Sequence, residues 1–447
     1  MMSNTVNEKQ LELLETAVNQ ARTSGNPAEI INTLTQLGQA HLAANNVPKA
    51  LTQFEEGLEL AQAAGDKLLE GRMWGYRGIC LMRLGNSHFA QIALYKSHNL
   101  AKELANKPLL IDALTQLGTL QLDSGQSSKA ISKLEQAMGI ALADDDRPRT
   151  MHLAGKLGNI FFDIDSPEKA IEYYALALQA AEDLNQPVAA CSYKLSMGHV
   201  YLANEGYDVA RELFEEALNL AETADNDPAR LGALSCLMRT HIAANNASLA
   251  TLYADSALRV ARSTGDSGAE IANLNLLTAY LIQQGAFKKT LPYLKRALEI
   301  ATTNEDWEWQ LTMQDRLGFV HYQLGQMDEG KAAYQAALDT ALQLQDPAAA
   351  ARLYGRLGAV LAEQNQVADA IAIAEQALKM GREQADWSLV GEQQILLAFA
   401  LVEQNDVAQA REYCQQAIAT FAQTGESDQL AKAQALLAEV EQLATAR

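Results

Sequence analysis

The chain has 447 residues, 48% of them hydrophobic but only 6% aromatic, and carries a formal net charge of −20. With a pI near 4.8, that charge argues against nucleic acid or an anionic membrane as the main partner, and favours solubility and a basic ligand. Cys80, Cys191, Cys236 and Cys414 lie far apart with no CxxC pair, so neither a disulfide framework nor a zinc knuckle is expected, and a reducing cytosol fits best. The start, MMSNTVNEKQ, shows no basic region followed by an apolar run, so no signal peptide is expected. No stretch approaches 18 uninterrupted apolar residues, the minimum for a membrane-spanning helix.

In chain order, residues 7–24 read as one amphipathic helix. From residue 27 to 426 the sequence then repeats ten times with a spacing of 40 residues, and residues 427–447 read as one more helix. A small anchor residue marks each repeat: Gly38, Gly78, Gly118, Gly158, Gly198, Met238, Thr278, Gly318, Gly358 and Ala398. Twelve residues later come Ala50, Ala90, Ala130, Ala170, Ala210, Ala250, Thr290, Gly330, Ala370 and Ala410. Nineteen past the anchor the series is again small, from Gly57 and Ser97 through Ala137 to Ala417. A fixed period of this length marks an additive repeat array rather than a globular enzyme.

Each repeat reads as two helices, because apolar residues recur at three- and four-residue steps. Breakers fall between the helices. Pro27, Pro108, Pro148, Pro187, Pro228 and Pro347 stand at the first turn of leading helices, where the missing N–H has no partner in any case. Pro292 lies about five residues into a second helix, where a slight kink is expected. The small residues let antiparallel helices approach closely at their crossing.

Leu37-Gly38-His41 with Ala50 and Phe54, Gly198-Tyr201 with Ala210 and Phe214, and Leu317-Gly318-His321 with Tyr334 carry a family resemblance. The pattern resembles the tetratricopeptide repeat, with a period of 40 in place of the common 34 and no proline closing the second helix. It is similar to the arrays of kinesin light chains, spindle-orientation adaptors, Rap-type peptide receptors and the sensor domain of the maltose-operon activator. The resemblance implies an all-α fold, a right-handed solenoid spanning 1–447, whose leading helices line a concave groove. It also implies protein, peptide or small-signal ligands and no chemistry within the repeats.

No P-loop, GxGxxG, HExxH or GxSxG motif is present, so no catalytic residues, metal site or cofactor are expected. His41, His241 and His321 share one repeat position but stand two and five layers apart, with neighbouring helices on the order of 10 Å apart. They cannot share a metal, whose bonds are about 2 Å long, and read as core. Asp144-Asp145-Asp146 reads as a solvated loop, since it lacks the ligand spacing of an EF-hand.

By the resemblance, ligands meet leading-helix residues one and five past the anchor and two and three before it. Those positions offer Asn159, His199 and Arg239, then Arg316 and Arg356 with Arg352 one turn away. Arginines on successive layers suit carboxylates, which they grip in bidentate fashion; alternatively they pair with Glu and Asp of the same array. Asn159 has Gly155 before it on its face and no lysine, so the Lys-plus-Asn clamp of chaperone-binding relatives is not reproduced. Phe319 and Phe399 with Ile395 add an apolar inner face toward the C-terminus. Trp307, Trp309 and Trp387 begin leading helices and are expected to pack over the preceding turn.

These features predict a cytoplasmic, non-catalytic scaffold that receives a peptide or protein segment in its groove. A ligand-responsive sensor is the second reading. The third is a structural protein that assembles head to tail through residues 7–24 and 427–447, which otherwise serve as caps.

Overall fold

The computed structural model describes residues 2–445, with side chains described for residues 9–443. The last two residues of the expected C-terminal cap, 446 and 447, lie outside the described residues. Among the described residues there are 22 α-helices and no strand. They form two compact units, Met1–Cys236 and Leu237–Arg447.

The first unit holds α1 (Met2–Ser24), α2 (Pro27–Ala43), α3 (Val47–Ala64), α4 (Lys67–Arg83), α5 (Ser87–Glu103) and α6 (Lys107–Asp123). It continues with α7 (Ser127–Ala143), α8 (Arg147–Asp163), α9 (Pro167–Asp183), α10 (Pro187–Ala203) and α11 (Tyr207–Thr223). The division between units falls within α12 (Asp227–Ala243). The second unit holds α13 (Ala247–Thr264), α14 (Ser267–Gln283), α15 (Phe287–Thr303), α16 (Trp307–Gln323) and α17 (Met327–Gln343). It ends with α18 (Pro347–Glu363), α19 (Val367–Glu383), α20 (Trp387–Glu403), α21 (Val407–Thr424) and α22 (Ser427–Thr445). Each unit is an α-solenoid of helix pairs, in which a leading helix packs on the second helix of its own repeat and on that of the repeat before.

The turns explain why the period never slips. Every junction places one residue in the left-handed region: glycine at Gly65, Gly85 and Gly265, but Asn45, Ala105, Asp165 and Ala385 elsewhere. At most junctions the two amides around it close the helix end in the same way. Asn45 N–H reaches Leu42 O at 3.1 Å and Asn46 N–H reaches His41 O at 2.7 Å, the paired bonds of a Schellman motif. The next residue caps the following helix. Leading helices mostly use Asp or Asn there, Gln186 of α10 being an exception without a cap bond, and Asp66, Asn106, Asp146, Asp266, Asp306, Asp346 and Asp386 each accept an amide N–H of the first turn. Most second helices lack such a side-chain cap and rely on packing instead.

That packing centres on the anchor. A Cβ placed on Gly38, Gly78, Gly118, Gly158, Gly198 or Gly318 would fall within 3 Å of Phe54, Leu94, Leu134, Tyr174, Phe214 or Tyr334, the residue sixteen further along. The glycine therefore makes room for that side chain. In one repeat the sizes are exchanged, with Met238 as anchor over Ala254, both buried. The alanines at the next small position, such as Ala50, Ala90 and Ala130, have no exposed surface.

α15 continues as a helix through Pro292. Against expectation, Trp307 and Trp387, the first residues of α16 and α20, are 41% and 50% exposed. Trp309, two positions further in, is the one that packs against the core. His41 and His241 are buried core residues, the latter stacked on Tyr253 with ring centroids 5.3 Å apart. The Asp144–Asp146 turn is spent on Lys107, Arg147 and the α8 cap. No helix of the described residues is long and apolar enough to cross a membrane.

Candidate functional site

The inner edges of four leading helices of the first unit, α2, α4, α6 and α8, enclose a cavity of about 490 Å³. Leu69, Met73, Leu109, Ile111 and Leu153 supply its apolar floor. Above them stands a column of polar residues six before each anchor: Asn32, Arg72, Asp112 and His152. A period of 40 residues stacks them one per layer on the same face.

Their charges are not equivalent. Arg149 Nε and Nη2 donate to the two Asp112 oxygens at 3.1 and 3.3 Å, while its Nη1 donates to Asp146 at 2.7 Å. The Asp112 bonds, ahead of those from Asp146, raise the Arg149 pKa above its ordinary value. Asp112 and Arg149 thus neutralise each other. His152 is held below the usual imidazole value by burial and then by the Lys156 charge, so it is neutral near pH 7. Arg72 is exposed and makes no hydrogen bond or ion pair among the described residues. It is the uncommitted charge of the cavity. Close by, Gln39 donates to the Tyr76 hydroxyl at 2.6 Å and the Phe54 ring stacks on Tyr76 at 4.7 Å, which fixes that wall.

The residues singled out from the sequence fall elsewhere. Asn159 is exposed, and its Oδ1 accepts the Tyr174 hydroxyl at 2.7 Å. His199 Nε2 lies 3.2 Å from Cys236 Sγ and its ring meets Phe214 edge-on. Both belong to the first unit and neither lines the cavity.

Arg239, in the second unit, is exposed. Arg316 turns inward: its Nη1 donates to Asn275 O at 2.9 Å and to Thr278 Oγ1 at 3.0 Å, and burial lowers its pKa. Arg356 is paired with Asp315. Arg352 is exposed, makes no ion pair among the described residues, and lines two smaller cavities of about 460 and 270 Å³. Phe319 is half-buried against Phe287, with centroids 6.0 Å apart, whereas Phe399 is 54% exposed.

Sequence reasoning missed Arg72 because it took its positions from the resemblance rather than from this array. A signal was present: Arg72 and Arg352 occupy the same repeat position, seven periods apart. Among the described residues no cluster of three His, Cys, Asp or Glu side chains could hold a metal ion.

Two family models, each described as a tetratricopeptide repeat, match the sequence, one over residues 69–143 and again over 309–383, the other over 35–88. The chain carries tetratricopeptide repeats. No curated protein matches the sequence. Among solved structures, a tetratricopeptide array with a similar fold belongs to the signal-transduction ATPase with numerous domains, with a tetratricopeptide repeat sensor, from Pyrococcus horikoshii. It is 14% identical, with 94% of this chain and 74% of that chain covered and a TM-score of 0.50. Aspartyl phosphate phosphatase F from Bacillus subtilis is also similar, at 14% identity, with 78% and 93% of the two chains covered and a TM-score of 0.47. The quorum sensor NprR from B. thuringiensis gives 14% identity, 66% and 84% coverage, and 0.47. At this identity the likeness shows the fold of the tetratricopeptide array alone.

Proposed function

We propose that this chain is a cytosolic, non-catalytic interaction scaffold, and that the leading-helix cavity of its first unit receives a peptide or protein segment. The observation that carries the reading is the uncommitted Arg72 guanidinium facing the same space as the Leu69, Met73, Leu109 and Leu153 floor. An apolar floor with a few placed polar groups is the usual composition of a binding cleft. A guanidinium adds bidentate recognition of a carboxylate. Arg149 and Asp112 serve as a rigid rim, since each satisfies the other. Arg352 provides a comparable grip in the second unit.

The test is a pull-down from the source lysate with the wild-type chain and with Arg72→Glu, followed by titration of the captured partner. Reversing an uncommitted charge in a groove that holds a carboxylate weakens binding by about tenfold or more. A partner retained equally by Arg72→Glu and Arg352→Glu would show that neither cavity is the binding site.

A further inference from the structure

On the outer face of the first unit, α5 carries three large apolar side chains in a row, whereas α11 has one at the equivalent positions, Val209. On α5 the outward positions are Phe89, Ile92 and Tyr95, which are 58%, 42% and 37% exposed. The same three positions read Lys49, Thr52 and Glu55 in the repeat before, Lys129, Ser132 and Glu135 in the repeat after, and Lys169, Glu172 and Ala175 in the next. Three large apolar side chains thus stand in water where the repeats on either side keep polar or charged ones. The rings are also braced, His88 edge-on to Phe89 at 5.6 Å and Tyr95 edge-on to His98 at 6.2 Å.

Beside this stripe a second cavity, about 520 Å³, opens between α5 and α7, with Leu117 and Leu120 of α6 as its floor. It lies on the second-helix side, away from the cavity that holds Arg72. No carboxylate lines it, although the chain has a net charge of −20. Its charged residues are Lys129 and Lys133. Lys129 Nζ donates to Gln126 Oε1 at 2.9 Å, and Lys133 has no ion pair among the described residues.

We propose that this outer face is a second docking surface, independent of the inner cavity. Its occupant is a protein segment in which an aromatic or aliphatic side chain is flanked by Asp or Glu. The apolar side chain seats against Phe89, Ile92 and Tyr95, and the carboxylates face Lys129 and Lys133. Charge decides the partner. A basic cavity in an acidic chain repels basic segments and concentrates acidic ones. Three side chains fall far short of the roughly 800 Å² per partner of a standard stable interface, so the patch suits a short segment rather than a second copy of the chain.

The experiment selects a phage-displayed random dodecapeptide library on the intact Arg72→Glu protein, which disables the inner site. Selected peptides are then titrated by fluorescence anisotropy against the wild type, Phe89→Lys/Ile92→Glu, and Lys129→Glu/Lys133→Glu. The first double variant installs the residues the array itself carries at Lys169 and Glu172, so the helix is retained, and circular dichroism checks this. The expected result is a set of peptides pairing an apolar residue with Asp or Glu, each losing about tenfold or more in affinity on either variant and weakening as salt rises. Peptides that lack acidic residues, bind Phe89→Lys/Ile92→Glu as well as wild type, or fail to emerge at all would overturn the proposal. So would a wild-type dimer that Phe89→Lys/Ile92→Glu converts to monomer, because the occupant would then be a second copy.

Discussion

The Phe214 ring rests on the bare Cα of Gly198, so closely that a Cβ there would lie 2.3 Å from its Cε1. The contact joins α10 to α11, and both residues are buried. Gly198→Ala should therefore destabilise the protein by about 1–3 kcal/mol, the usual cost of overpacking. Adding Phe214→Ala should remove the clash, since Met238 over Ala254 shows the array tolerating the inverse arrangement. Urea unfolding of both variants checks this. A double mutant no more stable than the sum of the single losses would mean that the ring does not set the anchor's size.

Ala105 and Ala385 sit at φ +48° and +56°, in turns where other repeats use glycine or a polar residue such as Asn185 or Asp225. A left-handed alanine costs roughly 1–2 kcal/mol, partly offset because glycine is freer in the unfolded chain. Ala105→Gly and Ala385→Gly should each stabilise the fold by up to about 1 kcal/mol, visible as a raised melting temperature in calorimetry. Gly265→Ala, at φ +71°, should shift it the other way.

Glu270 is 3% exposed and held between Arg262 Nε at 2.6 Å and Arg296 Nε and Nη2 at 2.8 and 2.9 Å. Burial alone would raise its pKa, but the hydrogen bonds from Arg296 and Arg262 outweigh it, and the value lies below the ordinary one. A depressed carboxylate stabilises the fold fully above its unfolded pKa, about 4.3, and less as pH falls through the native value. Glu270→Gln should thus cost about 1.5–3 kcal/mol at pH 7, and the gap to wild type should close on acidification toward pH 3. Denaturation midpoints across that range measure it.

Arg316 and Arg352 look alike in the sequence but not in the fold. Arg316→Met keeps the aliphatic stem yet removes the donor to Thr278 Oγ1 and one of the donors to Asn275 O, which still accepts the Thr278 hydroxyl, a loss of about 1–3 kcal/mol. Arg352→Glu at an exposed position should change stability by less than about 0.5 kcal/mol. Thermal melts of the two variants distinguish a structural arginine from one available to a ligand.

The helix pairs and the glycine anchors were legible in the sequence because the array repeats each local choice, whereas α1 begins at Met2 and not at residue 7. Proline at first turns, small residues at crossings and Asp or Asn at caps all point to the same positions. The destinations of individual side chains were not legible. Arg316 finds its acceptors 38 and 41 residues away, in the layer beneath, and Arg149 reaches Asp112, 37 residues back. A period tells which residues share a column, but whether a column faces ligand, solvent or the neighbouring layer depends on how far each chain reaches. For the same reason Trp309 is a packing residue while Trp307 is not.

The left-handed residue at each turn, closed at most of them by the same pair of bonds, recurs both inside a repeat and between repeats. A recombination event that adds or removes one forty-residue segment at any such bend therefore creates no unfamiliar seam. Proteins built this way can change their reach in whole steps, lengthening or shortening like a ladder cut between rungs.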